Sequence, residues 1–189
     1  MKKETDQQLV DRVLNGNKQA FNLLVLRYQH RVAALIARFV SDPQEVEDVS
    51  QEAFIKAYRA LSLFRGDSAF YTWLYRIAVN TAKNHLVARN RRPPAVDVDV
   101  DDAESNELAL PLQELGSPEA CLSTEMLREA INQAIEELPE ELKTAFTLRE
   151  FSGLSYEDIT EVMGCPVGTV RSRIFRAREA IDKRIRELI

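Results

Sequence analysis

Hydrophobic residues recur at steps of three and four along most of this chain, the spacing that places them on one face of an α-helix. The first such series runs from Leu9 to Phe39. Asp42-Pro43 interrupts it and predicts the start of a new helix, because proline is well tolerated in the first helical turn. The next series continues to about Leu63, and no segment alternates in the manner of a β-strand. The pattern therefore predicts an all-α fold.

A break follows at residues 64–68, and a third periodic segment starts at Phe70. Ser68 is the predicted N-cap of that helix, because a serine hydroxyl can accept a hydrogen bond from the first turn. Pro93-Pro94 ends this first helical unit. The stretch that follows, up to residue 117, is acidic, lacks aromatic residues and has no sustained period. It is predicted to be a flexible linker.

A second helical unit is predicted from Pro118 to the end of the chain. Its helical periods cover residues 126–138, 140–151 and 155–163, and then Pro166 onward. Two small helical domains, residues 1–92 and 118–189, thus flank an acidic linker at residues 93–117. The net charge is −5, yet the C-terminal part of each domain is rich in Lys and Arg. Two basic blocks separated by an acidic connector favour two domains over one.

Cysteine and histidine usage argues against a metal site or a disulfide framework. Cys121 and Cys165 are the only cysteines, and His30 and His85 lie far from both in sequence. The chain has no phosphate loop and no nucleophile motif, so no cofactor, no metal and no enzymatic activity are predicted. No apolar run approaches the roughly 18–20 residues of a membrane span, and the expected location is the cytoplasm.

The segment from Ser155 to Arg178 has the pattern of a helix-turn-helix. Ser155 and Asp158 have the spacing of a capping box at the start of a short helix. Gly164 can make the tight turn, and Pro166 can open the next helix because its missing N–H is not needed there. A short helix, a glycine turn and a second helix together predict a DNA-recognition unit.

One side of that second helix is apolar and the other is basic. The predicted apolar stripe consists of Val167, Val170, Ile174, Ala177, Ile181 and Ile185. The predicted DNA-reading face consists of Arg171, Ser172, Phe175 and Arg176, with Arg173 on its flank. Arginine can bind the O6 and N7 atoms of guanine in a bidentate way. The alternative interpretation is a solvated basic surface, with Phe175 covering the edge of the core.

A second candidate site for nucleic acid lies in the first unit. Aromatic residues are concentrated at positions 64, 70, 71, 73 and 75. In the following helix, Arg76, Asn80 and Lys83 share a polar side, opposite a core side that includes Phe70. Lys and Arg can neutralise phosphates, and aromatic rings can stack on unpaired bases. The preceding loop, Phe64, Arg65, Gly66, Asp67 and Ser68, is a candidate pocket for a base that leaves the stack. For Phe70 and Trp73, a role as ordinary core residues is the favoured interpretation.

An acidic face precedes this site, formed by Asp48, Gln51 and Glu52 among others. Such a face is either a plain solvated surface or a docking surface for a protein partner. Composition alone does not decide between the two interpretations.

Three segments of the chain resemble regions 2 and 4 of the extracytoplasmic-function (ECF) sigma factors of RNA polymerase, of the sigma-E type. Region 2 is similar to DVSQEAFIKAYRAL, from Asp48, and to FRGDSAFYTWLYRIAVNTAKN, from Phe64. The end of region 4 is similar to PVGTVRSRIFRAREA, from Pro166. Asn17 stands where relatives commonly have Asp, and it is expected to keep an N-capping role.

The resemblance implies a promoter-recognition subunit that acts in an envelope or extracytoplasmic stress response. By this resemblance, Asp48, Gln51 and Glu52 dock on core RNA polymerase. The loop 64–68 with Arg76, Asn80 and Lys83 captures the melted minus-ten element, and the face from Arg171 to Arg176 reads the minus-thirty-five element. An anti-sigma factor, often membrane-anchored, is the further implied partner.

Two rival functions remain open from the residues alone. A DNA-binding regulator would use only the helix-turn-helix and would bind duplex DNA without polymerase. A helical interaction protein would present its basic faces to another protein.

Overall fold

The computed structural model describes residues 4–91 and 118–187, and within those ranges every regular element is helical. The predicted all-α fold is therefore confirmed. The chain divides into two compact units, one built mainly on its first four α-helices and one mainly on the later helices. Each unit is described by itself below. The predicted acidic linker, residues 93–117, lies outside the described residues.

The first unit is a bundle of four helices. These are α1 (Asp6–Leu14), α2 (Lys18–Ile36), α3 (Pro43–Ala60) and α4 (Phe70–Arg91), with a 3-10 turn at Leu61–Leu63 between the last two. Asp42 caps α3 through a hydrogen bond from the Gln44 N–H to its carboxylate at 2.8 Å, with Pro43 in the first turn as predicted. Asn17 occupies the N-cap position of α2, but its side chain makes no capping hydrogen bond.

The core of this bundle is formed by apolar side chains from all four helices. Fully buried members include Leu9, Leu24, Ile36, Val49 and Leu74. Burying each such side chain contributes roughly 1.5–3 kcal/mol relative to leaving it in water. Packing of this apolar face, more than intrinsic propensity, holds a helical bundle together.

Helix α1 is fastened to α2 by a polar cluster. The Asp6 carboxylate accepts hydrogen bonds from Arg27 and from the hydroxyl of Tyr28. Burial and the Asp6 hydrogen bond raise the pKa of Tyr28 well above its usual range. Thr5 caps α1 in a complete capping box with Gln8. These contacts hold α1 beside the loop that precedes α4, where the Gln7 amide oxygen faces Gly66.

The second unit contains α5 (Pro118–Glu136), α6 (Glu140–Glu150), α7 (Tyr156–Met163) and α8 (Val167–Arg186). Helix α5 begins eight residues before the predicted start at residue 126. Its last turns pack on α8 in a core of Ala134, Ile135, Leu138, Ala177 and Ile181. Helix α8, which carries the candidate reading face, is thus fixed by burial along its opposite side.

The helix-turn-helix has the capping box, the glycine turn and the proline-initiated second helix that its sequence predicts. The Ser155 hydroxyl accepts from the Asp158 N–H at 3.0 Å, and the Ser155 N–H donates to the Asp158 carboxylate at 3.3 Å. This reciprocal pair confirms the capping box at the start of α7. Gly164 ends that helix with a positive φ of 61°, a conformation that glycine adopts without strain. The Pro166 carbonyl then accepts the first hydrogen bonds of α8.

Candidate nucleic-acid interface

The predicted reading face of α8 is exposed and the stripe behind it is buried. Four of the stripe residues, Val170, Ile174, Ala177 and Ile181, are buried, while Val167 is 38% exposed and does not join the core. Val167 is the first residue of α8. The side chains of Arg171, Ser172, Phe175 and Arg176 are all exposed. Helical geometry places these four side by side on successive turns.

Phe175, the apolar member of this face, has 66% of its surface exposed. It therefore does not cover the edge of the core, which was the alternative interpretation for this residue. An exposed aromatic side chain between two exposed arginines suits contact with a thymine methyl group.

Arg173 is engaged inside the domain. Its guanidinium forms a salt bridge with Glu141 of α6 at 2.7 Å and donates to the Cys165 sulfur at 3.3 Å. Arg178 is similarly paired with Glu150, and this hydrogen bond raises the pKa of Arg178 above its usual value. The guanidinium of Arg173 is therefore already paired. Arg171 and Arg176 have no salt bridge among the described side chains of this unit, residues 126–187.

The sequence did not single out two further residues beside this face. The ring of Tyr156, at the start of α7, contacts the guanidinium of Arg171 at 5.7 Å and that of Arg149 at 4.8 Å. Both distances fall within the roughly 6 Å range of cation–π attraction. The three residues belong to three different helices, so no helical period could reveal the cluster.

In the first unit, the candidate base-capture loop stands on an aromatic platform. The Phe64 ring packs on Trp73 and Phe70, with centroid distances of 5.3 and 5.8 Å. Phe70 and Trp73 are themselves buried, which confirms them as core residues. Arg65, Gly66 and Asp67 are exposed, and Ser68 is half-buried. Phe64 therefore anchors the loop, while the three residues after it face solvent.

Two local details of the loop follow from its backbone. Gly66 has a backbone φ of 75°, a value that residues other than glycine rarely adopt. The N–H of Trp73 donates to the Ala69 carbonyl at 3.2 Å, which places the N-cap of α4 at Ala69, one residue after the predicted Ser68.

The polar side of α4 continues from this loop. Arg76 and Asn80 are exposed and one turn apart, whereas Lys83 is half-buried and already has an interaction partner. Asn80 lies about 15 Å along the helix from Phe70, given a rise of 1.5 Å per residue. This side of α4 is therefore long enough to contact a single strand of DNA that is bound at the loop.

The acidic face of α3 is also exposed. Asp48, Gln51 and Glu52 point to solvent; Gln51 donates to Glu47 at 3.1 Å, and Glu52 pairs with Lys56 at 2.8 Å. Ile55 and Tyr58 on α3 are also exposed, at 50% and 40%. An apolar patch beside acidic groups is more typical of a protein contact surface than of a purely solvated one. Neither residue was predicted as part of this face, because an apolar side chain in a helical period does not show whether it is buried or exposed.

Other kinds of site find little support in the part of the chain that the structure describes. No group of His, Cys, Asp and Glu there is arranged to hold a metal ion. None of the helices in the described ranges is both long and apolar enough to cross a membrane.

Comparison with known proteins identifies both units. Residues 24–92 match the family model of sigma-70 region 2, and residues 128–181 match that of sigma-70 region 4. The RNA polymerase sigma-H factor of Pseudomonas aeruginosa is 65% identical over 186 residues, covering 98% of this chain and 96% of that protein. The ECF RNA polymerase sigma-E factor of Escherichia coli is 63% identical, with the same coverage of both chains.

A solved structure of the sigma factor RpoE from Bartonella quintana, in complex with the anti-sigma factor NepR, shares the fold. Its TM-score is 0.63 at 24% sequence identity, covering 88% of this chain and 96% of that one. The two family models and the relatives above 60% identity show that the chain belongs to the sigma-70 family, as an ECF sigma factor of RNA polymerase.

Proposed function

We propose that the two exposed polar faces described above bind two separate promoter elements, and that the acidic face of α3 binds core RNA polymerase. The observation that carries this proposal is the exposure of Arg171, Ser172, Phe175 and Arg176 on one side of α8. Such a face has the donors and the apolar group needed to read base edges in a major groove. The polymerase is then directed to promoters that carry the matching bases.

Recognition of the minus-thirty-five element is assigned to α8. Arg171 and Arg176 are the guanine-reading candidates, Ser172 can contact a base or a phosphate, and Phe175 can contact a thymine methyl group. Arg173 has a supporting role, because its salt bridge to Glu141 ties α8 to α6. It can still contribute positive charge toward a nearby phosphate.

Capture of the minus-ten element is assigned to the loop 64–68 and α4. Arg65, Gly66 and Asp67, which are exposed, are assigned to hold a flipped base, with the half-buried Phe64 and Ser68 at the two ends of the loop. Arg76 and Lys83 neutralise phosphates, and Asn80 offers both a donor and an acceptor to a base edge. Holding unpaired bases offsets the few kcal/mol that unstacking costs. The mechanism thus uses binding energy and includes no covalent step.

The polymerase contact is assigned to Asp48, Gln51 and Glu52, extended by the exposed Ile55 and Tyr58. Negative groups favour a basic partner surface and increase the rate of encounter, while the apolar residues supply contact area. The chain is further proposed to act in the cytoplasm during an envelope or extracytoplasmic stress response. An anti-sigma factor is a further proposed partner, since the Bartonella sigma factor named above forms a complex with one.

Run-off transcription tests this function. Purified core polymerase is incubated with a pool of promoter-like fragments, with and without the chain. Specific transcripts that appear only with the chain are the expected result. Tight duplex binding by the chain alone, without transcripts, would instead support a conventional regulator. A folded chain that neither binds DNA nor yields transcripts would support an interaction protein.

Replacing Asn80 by alanine is expected to impair promoter melting more than polymerase recruitment. The amide is exposed on α4, so its removal takes away base contacts without disturbing the core. Permanganate footprinting measures melting, and gel mobility at low temperature measures recruitment. A loss of about 1–3 kcal/mol, the usual range for one good base contact, predicts a five- to 150-fold lower open-complex yield. Asn22→Ala, which removes an exposed amide from α2, is the matched control. A normal yield with Asn80→Ala would contradict the assigned role.

Reversing one charge on α3, by Asp48→Lys, is expected to weaken binding to core polymerase about three- to tenfold at low salt. Exposed charge pairs contribute only about 0.2–1 kcal/mol each, but reversal replaces an attraction by a repulsion. Competition between variant and unmodified chains for limiting core polymerase measures the change. Glu129→Lys, at an exposed position of α5, makes the same change in net charge and serves as the control. Equal effects of the two variants would rule out a specific docking face.

A further inference from the structure

Tyr156 occupies a special place in the second unit, because its ring contacts two cations from neighbouring helices. Arg149 lies in the last turn of α6, and its guanidinium carbon is 4.8 Å from the ring centroid. Arg171 lies in the second turn of α8, at 5.7 Å. Tyr156 itself is the first residue of α7. The ring therefore joins the two helices of the helix-turn-helix to the helix before them.

The ring is held from the side of α6 and α7. Arg149 donates a hydrogen bond from Nη1 to the carbonyl oxygen of Leu154 at 2.7 Å, just before α7 begins. Leu154 is buried, and the capping box of Ser155 fixes the next residue. Tyr156 thus follows two anchored residues. Its position is set by the fold before any ligand arrives.

Arg171 differs from its neighbours on α8 in how it is held. Arg173 and Arg178 are each paired with a carboxylate, Glu141 and Glu150. Arg171 has no salt bridge among the side chains that the structure describes in this unit, those of residues 126–187, and the ring of Tyr156 is its described side-chain contact. A carboxylate would compete with DNA for the guanidinium, because an ion pair must be broken before the arginine can bind a base or phosphate. An aromatic ring restrains the arginine and leaves its charge and its N–H donors available.

We infer that Tyr156 is a positioning residue for Arg171. It contacts the arginine through the ring, restricts its rotamers before DNA arrives, and so increases discrimination at the base pair that Arg171 reads. This inference rests on the proposed base-reading role of Arg171. The physical basis is preorganisation, since a long side chain that is already ordered loses less conformational entropy on binding. Arg149 supports the ring from α6 and adds positive charge beside the interface.

The test uses holoenzyme reconstituted from core polymerase and the full chain, on promoters that carry each base change in the minus-thirty-five element. Arg171→Ala first identifies the base pair at which discrimination depends on Arg171. Tyr156→Leu is expected to lower discrimination at that same base pair about two- to fivefold, the effect of an exposed cation–π contact. Tyr156→Phe keeps the ring and is expected to retain full discrimination. In the Arg171→Ala background, Tyr156→Leu is expected to cause no further loss.

Three results would overturn the inference. Additive losses in the double variant would show that Tyr156 acts independently of Arg171. A defect in Tyr156→Phe equal to that of Tyr156→Leu would show that the hydroxyl matters and the ring does not. A uniform loss on all promoters would indicate a general effect on α7. Tyr156→Met is measured in parallel, with unfolding midpoints for every variant, so that the result does not depend on the folding of one protein.

Failure of the proposed function has a different signature. If the unmodified holoenzyme gives no promoter-specific transcripts, the promoter-recognition role is wrong and the role of Tyr156 falls with it. If the unmodified holoenzyme is active and only the Tyr156 variants behave contrary to expectation, the promoter role stands and the positioning role alone is lost.

Discussion

Replacing Arg176 by alanine is expected to weaken transcription strongly, and only on promoters that carry the base pair this arginine reads. The side chain is exposed on α8 and has no salt bridge among the side chains described for residues 126–187, so its guanidinium is available for bidentate binding to guanine. The loss of one such contact costs about 1–3 kcal/mol, or about five- to 150-fold in affinity. Run-off transcription on promoters with single base changes in the minus-thirty-five element measures the effect.

The control for this prediction is another arginine of the same helix. Arg186 is exposed, and it is paired at 2.7 Å with Asp182, which lies four residues before it. Arg186 is about three helical turns beyond the reading face. Arg186→Ala is expected to leave the order of promoter strengths unchanged. If Arg176→Ala weakens all promoters equally, Arg176 binds a phosphate and does not read a base. A smaller salt dependence of DNA binding would accompany that outcome.

Replacing Ile174 by alanine is expected to destabilise the second unit by about 2–5 kcal/mol, the usual range for truncating a large aliphatic side chain in a packed core. Ile174 is only 2% exposed, and its neighbour Phe175 is 66% exposed. Phe175→Ala is therefore the matched control, with a stability change within about 0.5 kcal/mol. Ile174→Ala should therefore lower stability while Phe175→Ala does not, because Ile174 packs α8 on the core and Phe175 is exposed to solvent.

Urea denaturation followed by far-UV circular dichroism measures both variants. Trp73 is the only tryptophan and lies in the first unit, so its fluorescence follows that unit separately. The Ile174→Ala variant is expected to lose part of its circular dichroism signal at a lower urea concentration than the unmodified chain. Its Trp73 fluorescence transition is expected to stay unchanged. A stability equal to that of the unmodified chain would contradict the burial of Ile174. A shift in the fluorescence transition as well would show that the two units unfold together.

Much of the fold could be predicted because helical sequences carry their own signals. The period of three and four located the helices, and Asp42-Pro43, Ser155 and Gly164 marked helix boundaries through local hydrogen bonding and backbone conformation. Predictions failed where a boundary depends on context. The start of α5 at Pro118 and the cap of α4 at Ala69 both differ from expectation. The exact residue at which a helix begins depends on a few competing hydrogen bonds, and the energy differences between them are small.

The candidate site likewise contains residues whose exposure the sequence predicts and residues whose exposure it does not. The outward positions of Arg171, Ser172, Phe175 and Arg176 follow from one helical period, because the apolar stripe on α8 leaves them on the opposite side. Exposure of the apolar Ile55 and Tyr58 on α3 could not be predicted by that rule. Hydrophobic character alone does not say whether a side chain faces a core or a partner surface.

The sequence by itself determined the helical class, the turn of the helix-turn-helix and the polarity of the faces of α8, because these depend on residues within a few positions of one another. Only the tertiary structure decided which partners these arginines contact. Glu141 of α6 pairs with Arg173, whereas the ring of Tyr156 in α7 contacts Arg171. These partners are distant in sequence, and no local pattern encodes which side chains the packing of three helices brings within a few ångströms.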